Sequence, residues 1–497
     1  MKNTKRILAA LSAIAMSFAA VSCGNAEENN NQTAPAADAA QETTETTTVT
    51  TKEAKSVDMN DMQKQMMTNL SEKLPDIELR DKTIKFISHW DINPGDGQVV
   101  PPYLQLFRDK YDGKVEWVQT TWENRYDDIL SLIIAKDSPD FFSAMDGDGF
   151  PNGALKGLFQ PVDDYVDFSD PIWSDEGTQN TISKFVFDGK HYVAATGSSP
   201  NTVCIYNKKT IADNNLEDPA ELFKNNEWTW SKFKEMCEAF SDSGSEKYGL
   251  DGYWYDSGIN NSTGVPLISL DSSGKAVSNL KDPAVRKAQD FLFELERSRA
   301  YFDRTTHDNQ TRGSGATGEG LGSGLTLFIP CGLWGIEDAP ENTKLWGDVA
   351  GGEIMFVPMP RPDDTDTYYI DARVDNGYFL IKNAPNPEGF GAFMNCLQLT
   401  AHSRTATDVS KDQLKNVYKW NDEMIAMKDT IIELCQQNPV FDFKDGVSSD
   451  VSAMTNEIKC ASINGAMTKK WDTVIEEYND KLEFELDKAN TQISKVN

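Results

Sequence analysis

Between Thr83 and Ser143 the chain alternates strand-like and helical patterning without a break, and no other stretch constrains the fold as much. Thr83 to Trp90 is a run of strand formers. Pro101-Pro102 can open a helix carrying Tyr103, Leu106 and Phe107, because proline is tolerated in a first turn. Lys114 to Thr120 reads as a second strand. Tyr126, Ile129, Leu130 and Ile133 then fall on one helical face, and Asp140-Phe141-Phe142-Ser143 follows as a third strand. Strand, helix, strand, helix, strand predicts an α/β architecture: a parallel sheet with right-handed crossovers and flanking helices. In such sheets ligands sit beyond the carboxyl ends of the strands. Those ends carry His89-Trp90-Asp91, Thr121-Trp122-Glu123 and Met145-Asp146-Gly147-Asp148. Indole faces beside fixed carboxylates suit a polyhydroxylated ligand, the rings covering C–H faces and the carboxylates accepting hydroxyl protons. The competing reading for Trp90 and for Trp122 is that each packs beneath its own loop.

A second constraint lies between Phe185 and Lys209. Phe185-Val186-Phe187 and Lys190 to Val193 flank Asp188-Gly189, which predicts a tight hairpin. Val203 to Tyr206 is another strand, reached through Thr196-Gly197-Ser198-Ser199-Pro200-Asn201. That linker has no helix and no two-residue turn, and it mixes a free residue, Gly197, with a fixed one, Pro200. It reads as a hinge between two lobes; the plainer alternative is a surface loop. Tyr368 to Ile381 reads as a second crossing around Asp375-Asn376-Gly377, and Asp375 and Tyr378 join the candidate ligand contacts there. A chain that crosses more than once builds each lobe from discontinuous pieces and bends only at the crossings.

Length agrees with two lobes, since 497 residues exceed what one core usually serves. A net charge of −30 leaves no basic surface to neutralise phosphates, which argues against nucleic acid as a partner. At the N-terminus, Lys2, Lys5 and Arg6 precede an apolar run from Ile7 to Val21, too short to span a membrane once its small residues are counted. The run ends in Ala20-Val21-Ser22-Cys23-Gly24, which resembles a bacterial lipoprotein signal with Ala20 where leucine is usual. That resemblance implies cleavage after residue 22, lipidation of Cys23 and a protein held at the extracytoplasmic face of the cell membrane. The plainer alternative is a cleaved, soluble secreted protein. Residues 23–80 then read as a tether, because Glu27 to Ser56 is mostly Asn, Ala, Thr and Glu with little to bury.

Beyond the hinge, Thr229 can cap a helix whose inner face is Trp230, Phe233, Cys237 and Phe240. Tyr253, Trp254 and Tyr255 are consecutive and cannot all face one core, so Trp254 and Tyr255 are candidates to line a cleft. Asp282-Pro283 opens a helix with Val285, Ala288, Leu292 and Leu295 inward. The spacing Gly313, Gly315, Gly318 has no strand before it and is not a phosphate loop. Asp91-Ile92-Asn93 and Asp146-Gly147-Asp148 lack the glutamate that would complete a calcium loop, so no metal is expected, and no cofactor. Cys204, Cys237, Cys331, Cys396, Cys435 and Cys460 form no close pair and read as buried free thiols. No hydrolase or protease motif is present, and four scattered histidines make no metal spacing, so no catalytic residue is assigned. A glycosidase using two carboxylates stays open as the enzyme alternative.

Several blocks in order resemble the extracellular solute-binding proteins of family 1, the sugar-binding subunits of ABC importers, over roughly residues 82 to 497. These blocks are Asp137-Ser138-Pro139-Asp140-Phe141, Phe159-Gln160-Pro161-Val162-Asp163-Asp164-Tyr165, Asp188-Gly189-Lys190-His191-Tyr192 with Tyr206-Asn207-Lys208, Thr229-Trp230-Ser231-Lys232-Phe233, Gly320 through Trp334, and Pro358-Met359-Pro360. Gly322-Ser323-Gly324-Leu325 departs from the Ala-Met common in the family. The resemblance implies a two-lobed protein of the type II periplasmic-binding fold that closes on a mono- or oligosaccharide and presents it to membrane permease subunits. It is expected to act as a monomer without chemical reaction. By position it implies ligand contacts at Trp334, at Trp90-Asp91 and near Asp146 and Asp148. Lobe one would comprise 81–198 with 376–430, and lobe two 199–375 with 431–497. A peptide or polyamine ligand and a sensor role without transport remain as alternatives.

Overall fold

The computed structural model describes residues 67–95, 100–304, 310–312, 319–337, 343–462 and 469–496. The expected signal peptide, Cys23, the tether up to residue 66 and the glycine spacing 313–318 lie outside the described residues. The folded body nevertheless starts earlier than residue 81. Met67, Leu70, Leu74 and Leu79 are buried in one core with Phe86 and Phe107, so the apolar spacing at 67–79 belongs to the fold and not to the tether.

The first sheet forms as the alternation predicts. Thr83–Ser88 pairs in parallel with Lys114–Gln119 and with Phe141–Ser143, through helices Pro102–Tyr111 and Arg125–Ala135. One detail differs. Ile129 is buried as predicted, but Leu130 is exposed and so is Ile134, because the second helix turns Arg125 inward beside Ile129. A charged residue takes the inner face there since it finds a half-buried carboxylate partner, described below. Tyr378–Ile381 enters this sheet antiparallel between Phe141–Ser143 and Phe159–Gln160, so a strand from far along the chain completes it.

A second sheet runs in the order Tyr248–Leu250, Thr326–Cys331, Val203–Asn207, Ile354–Pro358. Only the first two are parallel. Helix Trp230–Phe240 covers it with the expected Trp230, Phe233, Cys237 and Phe240, capped by Thr229 on the Lys232 amide. Helix Pro283–Arg297 turns Val285, Ala288, Leu292 and Leu295 inward as predicted. Each of the Val, Leu and Phe side chains among them contributes roughly 1.5–3 kcal/mol on burial.

Between the sheets the linker at 196–201 is not a loop. Gly197–Pro200 is a strand paired antiparallel with Ile370–Asp375, from Ala372↔Pro200 to Asp375↔Gly197, and Pro439–Val440 adds in parallel on the other side. The Thr196 amide and hydroxyl both donate to the Asp375 carbonyl at 3.1 Å, and the Asn201 amide donates to the Asp371 carbonyl at 2.8 Å. The two crossings are therefore one ribbon. The preceding hairpin, Val186–Phe187 with Lys190–His191, turns at Asp188 and Gly189 with φ of +50° and +67°.

The expected boundary at 430 falls inside helix Asp422–Gln437, whose Met424, Ile425, Ile431 and Cys435 all join the core of the second sheet. The segment after 431 is not confined to that core either. Trp471, Val474, Leu482 and Leu486 pack with Phe150, Phe159 and Phe185 as well as with Ile268 and Val285. The five described cysteine side chains, Cys204, Cys237, Cys331, Cys396 and Cys435, are buried and unbonded to one another; that of Cys460 lies outside the described residues. Among the described residues no helix is long and apolar enough to cross a membrane, and no three His, Cys, Asp or Glu side chains converge on a metal position.

Candidate functional site

The carboxyl ends of the first sheet are organised by Arg125. Its side chain is almost wholly buried, with the guanidinium carbon 3.7 Å from the centroid of the Trp122 ring and 4.7 Å from that of Tyr126. It donates to the Trp122 carbonyl and pairs with Asp148, while the Tyr126 hydroxyl donates to the other Asp148 oxygen at 2.5 Å. A cation under an indole is held by the ring quadrupole, and an arginine is the side chain that can stack and bond in plane at once. Trp122 is thus fixed from one side. His89 meets it edge to face at 5.3 Å, and burial, followed by the Arg125 charge, holds the imidazole below its usual range.

Of the other residues expected here, Asp91 is exposed and spends an oxygen on its own loop, accepting from the Asn93 amide and side chain at 2.9 Å each. Trp90 is half-buried against the first core, perpendicular to Phe86 at 5.2 Å. Asp146 stands apart. It is exposed and accepts no hydrogen bond among the described residues. Burial, then the neighbouring Asp148, push that carboxyl up to about 6, against the pull of Arg125 and Arg373.

The second sheet presents a different edge. Because Tyr248–Leu250 and Thr326–Cys331 are parallel, their carboxyl ends bring Trp254 and Trp334 together at 5.6 Å with an angle of 88°. Gly332 permits this, since a Cβ there would lie 2.1 Å from the Trp334 Nε1. Trp334 remains 39% exposed, an unusual state for so large a ring. Tyr253 continues the aromatic run at 5.6 Å from Trp254. Asp251, at the same strand end, is buried and accepts from the Gly252 and Arg312 amides at 2.7 and 2.8 Å, with its carboxyl pushed up to about 6 by burial.

Tyr255 and Tyr378 leave the list of cleft residues. Tyr255 is buried and donates to Glu296 at 2.8 Å, which satisfies its hydroxyl inside the core. Tyr378 is buried among Phe86, Phe141 and Phe393. In both cases a hydroxyl-tipped aromatic packs as core.

Between the two edges lies the ribbon. Ala372 and Val374 are buried, and Arg373 and Asp375 alternate with them on the opposite face, together with Ser199, the cross-strand partner of Arg373. Asp375 is held above its ordinary range by burial, with Arg373, Lys428 and His402 pulling it down. The Arg373 charge pulls down both the Asp146 carboxyl at the end of the first sheet and the Cys331 thiol at the end of the second, each of which burial pushes up. Among the described residues, the buried Arg373 Nε, Ser199 Oγ, His89 Nδ1 and Arg125 Nε have no hydrogen-bond partner. Such atoms are costly in a core. Arg125, Arg373 and Ser199 were not singled out from the sequence. Trp122 and Arg125, three apart at a helix start, were the available signal for the first of them.

Two α/β bodies joined by a paired ribbon, with strand ends meeting at that ribbon, define the class of two-lobed periplasmic-binding-type proteins. The chain belongs to the bacterial extracellular solute-binding proteins: that family's model matches residues 103–412, well over half of the chain. Solved structures share the fold. A sugar transporter protein from Rhizobium etli in an open conformation is 18% identical with a TM-score of 0.58, covering 81% of this chain and 99% of its own. The sugar-binding protein of Xanthomonas citri is 14% identical with a TM-score of 0.56, covering 82% and 98%. A cyclo/maltodextrin-binding protein complexed with maltotetraose is 14% identical with a TM-score of 0.56, covering 84% and 98%. No curated protein sequence matches the chain at a significant level.

Proposed function

We propose that this solute-binding protein takes a carbohydrate between its two lobes, closes on it by bending at the 197–200 and 370–375 ribbon, and delivers it to the permease of an ABC importer. What supports the reading is the kind of side chain at the strand ends and on the ribbon. Trp122 stands on its arginine support, Trp254 and Trp334 form an indole corner, and Asp146, Arg373 and Asp375 supply polar groups between. Pyranose rings offer apolar C–H faces and a rim of hydroxyls, and this mix of ring and polar group answers both. The maltotetraose bound by one structural relative, and the lacto-N-biose bound by a Bifidobacterium longum relative with a TM-score of 0.55, are ligands of that chemistry.

In this reading Cys23 carries the lipid anchor, residues 23–66 form the tether, and the protein works as a monomer at the extracytoplasmic face of the membrane. Closure requires only that the ligand make more contacts in the closed state than in the open one, and no bond in the ligand is broken. A thermal-shift panel of mono- and oligosaccharides, peptides and spermidine tests it. A ligand at a hundredfold its Kd adds about 2.7 kcal/mol of stability. Stabilisation by a neutral sugar is expected; stabilisation by spermidine or a peptide alone, or turnover of the sugar, would sink the carbohydrate reading.

A further inference from the structure

The ribbon is not uniform along its length. Pro439–Val440 pairs only with Ile370 and Asp371, so the ribbon is three strands wide there and two strands wide from Ala372↔Pro200 to Asp375↔Gly197. A polar cluster fastens each end, and the two clusters belong to different bodies.

At the wide end the fastener is Asp371, a buried carboxylate. One of its oxygens accepts from the Thr202 hydroxyl at 2.8 Å and the Asn201 side chain at 3.1 Å, and the other accepts from the Asn261 side chain at 2.7 Å. An ionised carboxylate suits this place because it takes several donors and offers none. Asn261 ends helix Tyr255–Asn261, which starts directly after Trp254 and sends Tyr255 and Ile259 into the second core. Asp371 thus ties the ribbon to the body that carries the indole corner.

At the narrow end the fastener is the Thr196 carbonyl. It accepts from the Thr178 hydroxyl at 2.8 Å and from His402 Nε2 at 3.0 Å; a carbonyl only accepts, so that nitrogen carries the hydrogen. The buried Gln398 side chain donates in turn to the Thr178 Oγ at 3.3 Å. Thr178 lies on helix Glu176–Ile182, and Gln398 on helix Pro387–Ala401, whose Phe390 and Phe393 meet Phe141 of the first sheet. This end belongs to the first body.

Between the fasteners, residues 372–374 lie opposite 198–200. Pro200 has no amide hydrogen, and among the described residues the Ser199 hydroxyl and Arg373 Nε have no hydrogen-bond partner. One side-chain bond leaves this stretch, from Ser198 Oγ to the Cys435 carbonyl at 3.1 Å. It leads to helix Asp422–Gln437, which touches both bodies: Cys435 joins the second core and Gln436 lies against Gly177 of helix Glu176–Ile182. That bond fixes the stretch to neither body alone.

Resting on the closure reading above, we propose that Asp371 at one end, and Thr178 with His402 at the other, are positioning residues that confine the bend to residues 372–374 and 198–200. They act through the backbone, making each end of the ribbon part of a rigid body. When either fastener is loosened the bend spreads along the ribbon and the lobes sample more orientations. A smaller fraction of molecules then holds the two edges in register, and apparent affinity falls by that fraction.

The test is the distance distribution between spin labels at Ile134→Cys and Glu221→Cys in the full chain, with circular dichroism to check folding and calorimetric titration of maltotetraose and lacto-N-biose. Asp371→Asn and Thr178→Val should each broaden the sugar-free distribution and weaken sugar affinity by about tenfold. Thr178→Ser, which keeps the hydroxyl, should restore the wild-type width and affinity. Asn261→Ala removes one of the three donors to Asp371 and should broaden the distribution less; it takes the place of Asp371→Asn if that variant does not fold. A lowered melting temperature with the wild-type width would make these residues structural only and overturn the proposal. The sugar-free width decides this whether or not either sugar binds. If the variants broaden while a sugar that stabilises the wild type leaves its distribution unchanged, the fasteners stand and the closure reading falls.

Discussion

On the first sheet's edge Trp122 is held by a guanidinium 3.7 Å from its ring, which is itself pinned to Asp148; on the second, Trp254 and Trp334 hold one another at right angles. The first arrangement is electrostatic and rigid, and it depends on a buried charge keeping its partner. The second is apolar, open to solvent at Trp334, and can lose a ring without orphaning a charge. Damage to the first edge should therefore appear in folding as well as binding, and damage to the second in binding alone.

Arg125→Met is expected to have the largest effect. Among the described residues it leaves Asp148 with only the Tyr126 hydroxyl, and it removes the support of Trp122, so stability should fall by about 3 kcal/mol or more in chemical denaturation, with binding lost in parallel. Unchanged stability would mean the pair is not part of the folded edge. Next, Trp334→Ala should weaken sugar affinity by about ten- to a hundredfold while moving the melting temperature little, because the ring is partly exposed already. Equal losses in both would make Trp334 a core residue and erase the contrast.

Tyr255→Phe sharpens the same comparison from the other side. It removes the hydroxyl that donates to Glu296 and should cost about 1–3 kcal/mol of stability with affinity unchanged, as measured by denaturation beside titration. Last, Asp91→Asn should change affinity less than twofold, since one oxygen on the exposed Asp91 already shapes its own loop. A larger loss would return Asp91 to the site.

What could be read from sequence tracks how local its cause is. The helices Trp230–Phe240 and Pro283–Arg297 announce their inner faces by spacing alone, and both pack as read. Gly197-Ser198-Ser199-Pro200 contains no strong strand former, and its strand exists because residues near 370–375 reach it from across the chain. Arg125 turns inward, displacing Leu130, because Asp148 meets it from 23 residues away. Likewise no local pattern tells Tyr255 from Trp254. One hydroxyl finds Glu296 in the core, while its neighbour meets Trp334 outside. Candidate residues at strand ends were legible wherever topology placed them, as with Trp122, Asp146 and Trp334; the arginines that orient them were not.

The most direct test is the distance between spin labels at Ile134→Cys, exposed on the first sheet's outer helix, and Glu221→Cys, exposed on helix Pro219–Lys224 of the second. It would be measured by pulsed electron resonance with and without the sugar that raises the melting temperature. Bending at the paired crossings predicts a shorter, narrower distance distribution with sugar bound. An identical distribution at saturating sugar would show that the two bodies do not close on their ligand.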